Sequence, residues 1–146
     1  MSQDWELLAL TSHYDTAVAI RQALEEGHMD EARHGLEELI EALSRSDERE
    51  LRSYLMRLMQ HIIKWQLQPE RRTPSWVASI AHARGEIADC QEEHPRFTRR
   101  FIEERIWQRA LRSAHREAAI DMNRERIVEV PLTWEDVFER NYILPT

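Results

Sequence analysis

DERELRSYLMRLMQHIIKWQL, residues 47–67, decides the fold class. Leu51, Tyr54, Leu55, Leu58, Ile62 and Trp65 recur at three- and four-residue steps, which line up one face of an α-helix. Met56, Met59 and Ile63 widen that face. A helix apolar over so broad an arc is expected at the centre of a bundle. The following QPERRTPSW, 68–76, ends it. The residue before Pro69 is pushed away from helical dihedrals. Thr73 then offers an N-cap and Pro74 a first-turn residue for the next helix.

The neighbouring segments read the same way. Residues 3–26 form a first helix, irregular around Thr11 and Ser12, with Gly27 as a left-handed terminator. MDEARHGLEELIEAL, 29–43, carries Met29, Ala32, Leu36, Leu39, Ile40 and Leu43 on one stripe expected to face the core. Asp47 and Glu50 have capping-box spacing, so the central helix is expected to start near Asp47 or to continue from 29–43 through a bend. After Thr73, the series Trp76, Ile80, Ala83, Ile87 and Cys90 makes a narrow seam. Pro95 opens a helix to about Asn123, with Phe97, Trp107, Leu111, Ala114, Ala118 and Met122 on one side. Thr133 with Asp136 caps a short final helix, WEDVFER. The expectation is a single all-α domain over 1–146. It is a four- to five-helix, mostly antiparallel bundle with a short C-terminal helix and no sheet.

Composition agrees. The chain has 146 residues, 42% hydrophobic, with 3 Gly and 5 Pro, so a real core and few helix breakers are in hand. One cysteine excludes an internal disulfide. No apolar run approaches the ~20 residues of a membrane span. MSQDWELLAL lacks a basic n-region and a cleavage site, so a cytoplasmic location is expected, with no membrane partner. Net charge −7 argues against nucleic acid as a partner. The charge is uneven: residues 1–50 hold thirteen acids against four arginines, net −9, and residues 96–126 nine arginines against five acids, net +4. Such asymmetry suits pairing of the two regions within a molecule or across a homodimer.

Lys64 is one lysine among twenty basic residues. Arg57, His61, Lys64 and Gln68 share one helix face beside the apolar stripe, as a polar seam or an anion-binding edge. A lysine there supplies a compact charge that arginine does not. Trp65, Pro69 and Trp76 bracket the turn and define a structural corner, expected to pack on the arginine-rich helix or the C-terminal tail. Arg105, Arg109, Arg112 and Arg116 form a basic stripe, either solvated or docking an acidic surface of a partner.

Glu37, Glu38 and Glu41 in EELIE, with Glu86 and Asp89 in EIAD, have spacings that can hold Mg²⁺. This EExxE with ExxD resembles the MazG-like all-α nucleotide pyrophosphohydrolases, which implies those five as metal ligands. The glutamates of 37–41 also lie opposite the apolar stripe, where a solvated face needs no metal. Glu31 and His34 have the spacing of a bundle di-iron pair, but no second pair exists. Cys90 on its apolar seam reads as a small buried hydrophobe.

The block RSDERELRSYLMRLMQHIIKWQLQPERRTPSW, 45–76, carries RSxxREL, HxxKWQxQPE and RxxSW. With the tail PLTWEDVFERNYILP, it resembles domain-of-unknown-function family 29 over about Gly27 to Pro145. The resemblance implies a small all-helical bacterial protein and brings no activity, substrate or cofactor. The functional expectation is a non-enzymatic protein-interaction or assembly module with no cofactor and no metal, whose partner is another protein or itself. The alternative is a Mg-dependent all-α pyrophosphohydrolase.

Overall fold

The computed structural model describes residues 3–146, all-helical with no strand among them. Met1 and Ser2, part of the start read as non-secretory, lie outside the described residues. The chain divides into two compact units, Met1–Arg49 and Glu50–Thr146.

The first unit begins with α1 (Trp5–Thr11) and α2 (His13–Glu25). The break falls at Ser12, whose extended backbone interrupts the helix and whose hydroxyl accepts from the Asp15 N–H. That is the irregularity the sequence shows there. Gly27 has φ 78° and closes α2, with the His28 N–H reaching the Ala23 carbonyl. A left-handed glycine is the ordinary solution for such a helix end.

Next, α3 runs unbroken from Met29 to Leu67. The separate start near Asp47 is therefore corrected. Ser44, Ser46, Asp47 and Glu50 lie inside one helix. A cap is useful where backbone bonds stop, and no Gly or Pro stands between Leu36 and Gln68 to stop them. A second correction concerns the 29–43 stripe. Met29, Leu36, Ile40 and Leu43 of that stripe are exposed, while its Ala32 is buried, its Leu39 packs half-buried on the same core, and Gly35 and Ala42 are buried beside them. A Cβ on Gly35 would come within 2.6 Å of the Trp5 ring and 2.9 Å of Ile20, so the small residues of α3 receive those bulky ones.

In the second unit the rest of α3 is the core. Leu51, Leu55, Leu58, Met59, Ile62 and Ile63 are all fully buried. Gln68 leads into a 3₁₀ turn, Pro69–Arg71, without a side-chain cap bond. α4 (Pro74–Glu93) starts as its sequence dictates, with the Thr73 hydroxyl accepting from the Trp76 N–H. It buries Ile80, Ala83, Ile87 and Cys90.

The arginine-rich helix starts at α5 (Arg99–Phe101), capped by Thr98 rather than opened by Pro95. It passes through a π segment, π1 (Ile102–Ile106), into α6 (Trp107–Asp121). The Trp107 N–H bonds the Ile102 carbonyl five residues back. This wide turn shifts the helical phase, and Ile102, Ile106 and Ala110 are buried together with Trp107, Ala114 and Ala118. Asn123, φ 55°, ends α6. An extended run follows and leads to a second π segment, π2 (Glu135–Glu139), capped reciprocally. The Asp136 carboxylate accepts from the Thr133 N–H, and the Thr133 hydroxyl accepts from the Asp136 N–H. No helix of the described residues is long and apolar enough to cross a membrane.

Candidate functional site

The face of α3 that carries the single lysine turns out to be tied to the end of α6. Lys64 Nζ donates to Asp121 Oδ2 at 3.0 Å, and Gln60 Nε2 donates to the same oxygen at 2.6 Å. The ammonium also stands 5.0 Å from the centre of the Trp76 ring. Its side chain is 12% exposed, so charge, carboxylate and indole share a largely covered spot. A compact ammonium suits a place bounded by an indole on one side and a carboxylate on the other. Burial alone would raise the Asp121 carboxyl, but the bonds from Lys64 and Gln60 outweigh it and hold its pKa below the ordinary value.

His61 sits one turn earlier, its Nδ1 2.9 Å from the Arg57 carbonyl, the geometry of an N–H donor within the helix. Burial lowers its pKa, and the bond to Arg57 offsets part of that. Arg57 is exposed. The four residues of the polar face thus divide: Lys64 is seated and paired, His61 bonds its own helix, Arg57 faces water and Gln68 leads into the turn.

Around the corner, Arg72 Nε donates to the Trp65 carbonyl at 2.9 Å, and its guanidinium lies 4.6 Å from the Trp65 ring centre. Trp65 meets Tyr142 edge-on at 5.6 Å. The Tyr142 hydroxyl donates to the Asp136 carbonyl at 2.6 Å. Arg84 of α4 donates to the carbonyls of Val137 and Arg140, both at 2.8 Å, where π2 and the tail leave acceptors open. Sequence reasoning did not single out Gln60, Arg72, Arg84, Asp121 or Tyr142. Their partners lie as much as 61 residues away, as for Gln60 and Asp121, and no local pattern encodes such pairs.

The basic stripe is exposed throughout. Arg105 belongs to π1 and lies over Phe101 at 5.7 Å, and Arg116 donates to Ser113. Two shallow cavities flank α6. One of about 300 Å³ is lined by Arg99, Trp107 and Trp134, and one of about 230 Å³ by Arg112, His115 and Ile127. Neither lining includes the lysine face.

The candidate Mg²⁺ ligands pair locally. Glu41 bonds Arg45 at 3.1 Å, Glu38 lies 3.9 Å from His34, and Glu86 lies 3.8 Å from His82. Glu37 and Asp89 are exposed. Among the described residues, no group of three or more His, Cys, Asp or Glu is arranged to hold a metal ion. Glu31 accepts from the Trp5 indole at 2.6 Å. Cys90 is buried, and burial, reinforced by the acids around it, pushes its thiol up to about 11. A thiol with that pKa stays protonated at neutral pH and is a poor nucleophile.

Lys64→Met keeps the stem on Trp76 and removes the charge. The expected cost near neutral pH is about 0–1 kcal/mol, because the Asp121 side chain is 40% exposed and water screens the pair. The folded Asp121 pKa is depressed, so the pair contributes above the unfolded value of about 3.9 and is lost as pH falls through the folded one. Urea titrations of both proteins across the acid range should therefore show the difference shrinking to nothing. A difference independent of pH would mean that Lys64 acts through packing alone.

A family model described as a domain of unknown function, DUF29, matches residues 16–143. No curated protein and no solved structure matches the chain.

Proposed function

Since the chain belongs to the DUF29 family, we propose that it serves as a non-enzymatic protein-interaction or assembly module. The observation that carries this reading is the surface of the first unit. Leu7, Leu10, Tyr14, Leu24, Met29, Leu36, Ile40 and Leu43 are all exposed within it. Single exposed hydrophobics are ordinary, but so many on so short a stretch are what a docking surface offers. In the second unit, Lys64 and Gln60 are spent on Asp121. The proposed setting is the cytoplasm, which suits a free, unpaired thiol. The Mg-dependent alternative needs at least three converging carboxylates, and the local pairing of Glu38, Glu41 and Glu86 does not favour it.

Photo-reactive side chains placed at Leu7, Tyr14 and Leu36 test the reading in cells. A covalent adduct to a protein is expected from at least one position. If none forms an adduct, the docking surface is unused and the proposal fails. Binding heat with Mg²⁺ or Mn²⁺ together with turnover of a nucleoside triphosphate would replace it with the enzymatic alternative.

A further inference from the structure

We propose that the cavity lined by Thr11, His13, Arg45, Ser46 and Arg49 in the first unit binds the phosphate group of a small phosphate monoester. This adds a ligand site to the unit and does not depend on a protein partner. The cavity measures about 280 Å³ and lies wholly within residues 9–49. Its lining is unlike the unit around it. Residues 1–49 hold twelve acids against four arginines. No acid lines this cavity, while two of those four arginines do.

The lining groups have donors to spare. Among the described residues, neither Arg49 nor His13 makes a side-chain hydrogen bond or an ion pair. Arg45 bonds Glu41 through Nη1 at 3.1 Å, which leaves the N–H groups of Nε and Nη2. Imidazole carries an N–H in either protonation state. A serine or threonine within a helix commonly returns its hydroxyl to the carbonyl four residues back. Thr11 and Thr16 do so, to Leu7 and Ser12. Ser46 has no such bond, so its hydroxyl is open to the cavity it lines.

Helix geometry keeps the acids aside. Ala42, Arg45, Ser46 and Arg49 fall within about 100° of arc on α3, and Glu41, Asp47 and Glu48 point about 90° or more from its centre. Glu38 lies two turns earlier, beside His34. On α2, Asp15 stands about 160° round from His13.

This donor set favours phosphate over carboxylate. Two guanidinium groups, an imidazole and a hydroxyl can serve three oxygens and nearly two charges, which a phosphate monoester brings and a carboxylate does not. The rest of the ligand is uncharged and small. Twelve acids in the same unit repel a polyanion. Leu10 and Ala42 give the cavity an apolar side on which an organic group can lie.

Amide-resolved NMR titrations of the full chain with phenyl phosphate, inorganic phosphate and benzoate, at fixed ionic strength, test this. Phenyl phosphate should shift residues 9–13 and 42–49 saturably, with a Kd on the order of 0.1–1 mM. Inorganic phosphate and benzoate should each bind several-fold more weakly. Arg49→Gln should weaken phenyl phosphate binding about tenfold or more, and Arg49→Lys should recover part of the loss. Arg33→Gln makes the same charge change outside the cavity and should leave binding unaltered. Both arginines are exposed, so circular dichroism of each variant should match the parent. No saturable shift below about 10 mM phenyl phosphate, or binding indifferent to Arg49→Gln, overturns the proposal. Benzoate binding as tightly as phenyl phosphate overturns the phosphate assignment. Inorganic phosphate binding as tightly overturns the monoester in favour of the free ion.

Discussion

Leu58→Ala and Ile62→Ala are each expected to cost about 2–5 kcal/mol of unfolding free energy. Both side chains are fully sealed from solvent. The elements packed around them explain why the upper half of that range is expected. α4 presents Ala83 beside Ile80 and Ile87, and α6 presents Ala110, Ala114 and Ala118. Alanines bring backbones close and have no long side chain that can swing into a void. The hole left by a deleted isobutyl or sec-butyl group would therefore stay largely open, and the cost of a cavity grows with the volume that fails to collapse. Urea denaturation at neutral pH measures the loss directly. Leu7→Ala, on the exposed side of α1, should stay within about 0.5 kcal/mol. A cost below about 1 kcal/mol at both Leu58 and Ile62 would mean that the second half of α3 is not central.

Gly35→Ala should destabilise the protein by about 1–2 kcal/mol, although alanine is the better helix former by about 1 kcal/mol. The added methyl would sit 2.6 and 2.7 Å from two ring carbons of Trp5 and 2.9 Å from Ile20. Trp5 is 3% exposed, and its indole N–H is committed to Glu31 at 2.6 Å. The ring cannot move aside without giving up that bond or opening the small core of the first unit. Overpacking therefore outweighs propensity. Gly85 supplies the opposite sign, because nothing lies within 4 Å of a Cβ built there. Gly85→Ala should gain about 0.4–1 kcal/mol by restricting the unfolded chain. Thermal melts of the two variants side by side should bracket the parent. If Gly35→Ala melts higher, Trp5 is not seated against α3.

The pH dependence of the corner has two contributors with the same sign. His61 is held below its ordinary pKa chiefly by burial. Its contribution to stability is therefore complete above about pH 6.5 and declines as the unfolded state takes up the proton first. The Asp121 contribution is lost at more acid pH. Both make the folded state more sensitive to acid than to base.

The helical architecture was legible because its signals are local. Ser12 interrupts, Gly27 accepts a left-handed backbone, Thr73 and Pro74 start a helix, and Thr133 with Asp136 closes a cap on its own neighbours. Each acts within four residues, so the chain carries the instruction wherever it lies. The central stripe of 51–65 was legible for the same reason, since its apolar arc is too wide for any face but an enclosed one. The family block around Lys64 was likewise readable in one dimension.

Other features were decided only by the tertiary structure. The capping signal at Asp47 and Glu50 is real chemistry, but it goes unused because helix on both sides keeps every backbone bond. The apolar stripe of 29–43 predicted a buried face, yet Trp5 and Ile20 need the room that Ala32 and Gly35 provide. Periodicity reports which residues share a face and does not say which face a neighbour will claim. The π turns follow no local pattern and place Arg105 and the buried side of α6 out of simple phase. The lone lysine finds its meaning in Asp121 and Trp76, because an ion pair between residues 57 apart in sequence exists only once packing has brought the two helices together.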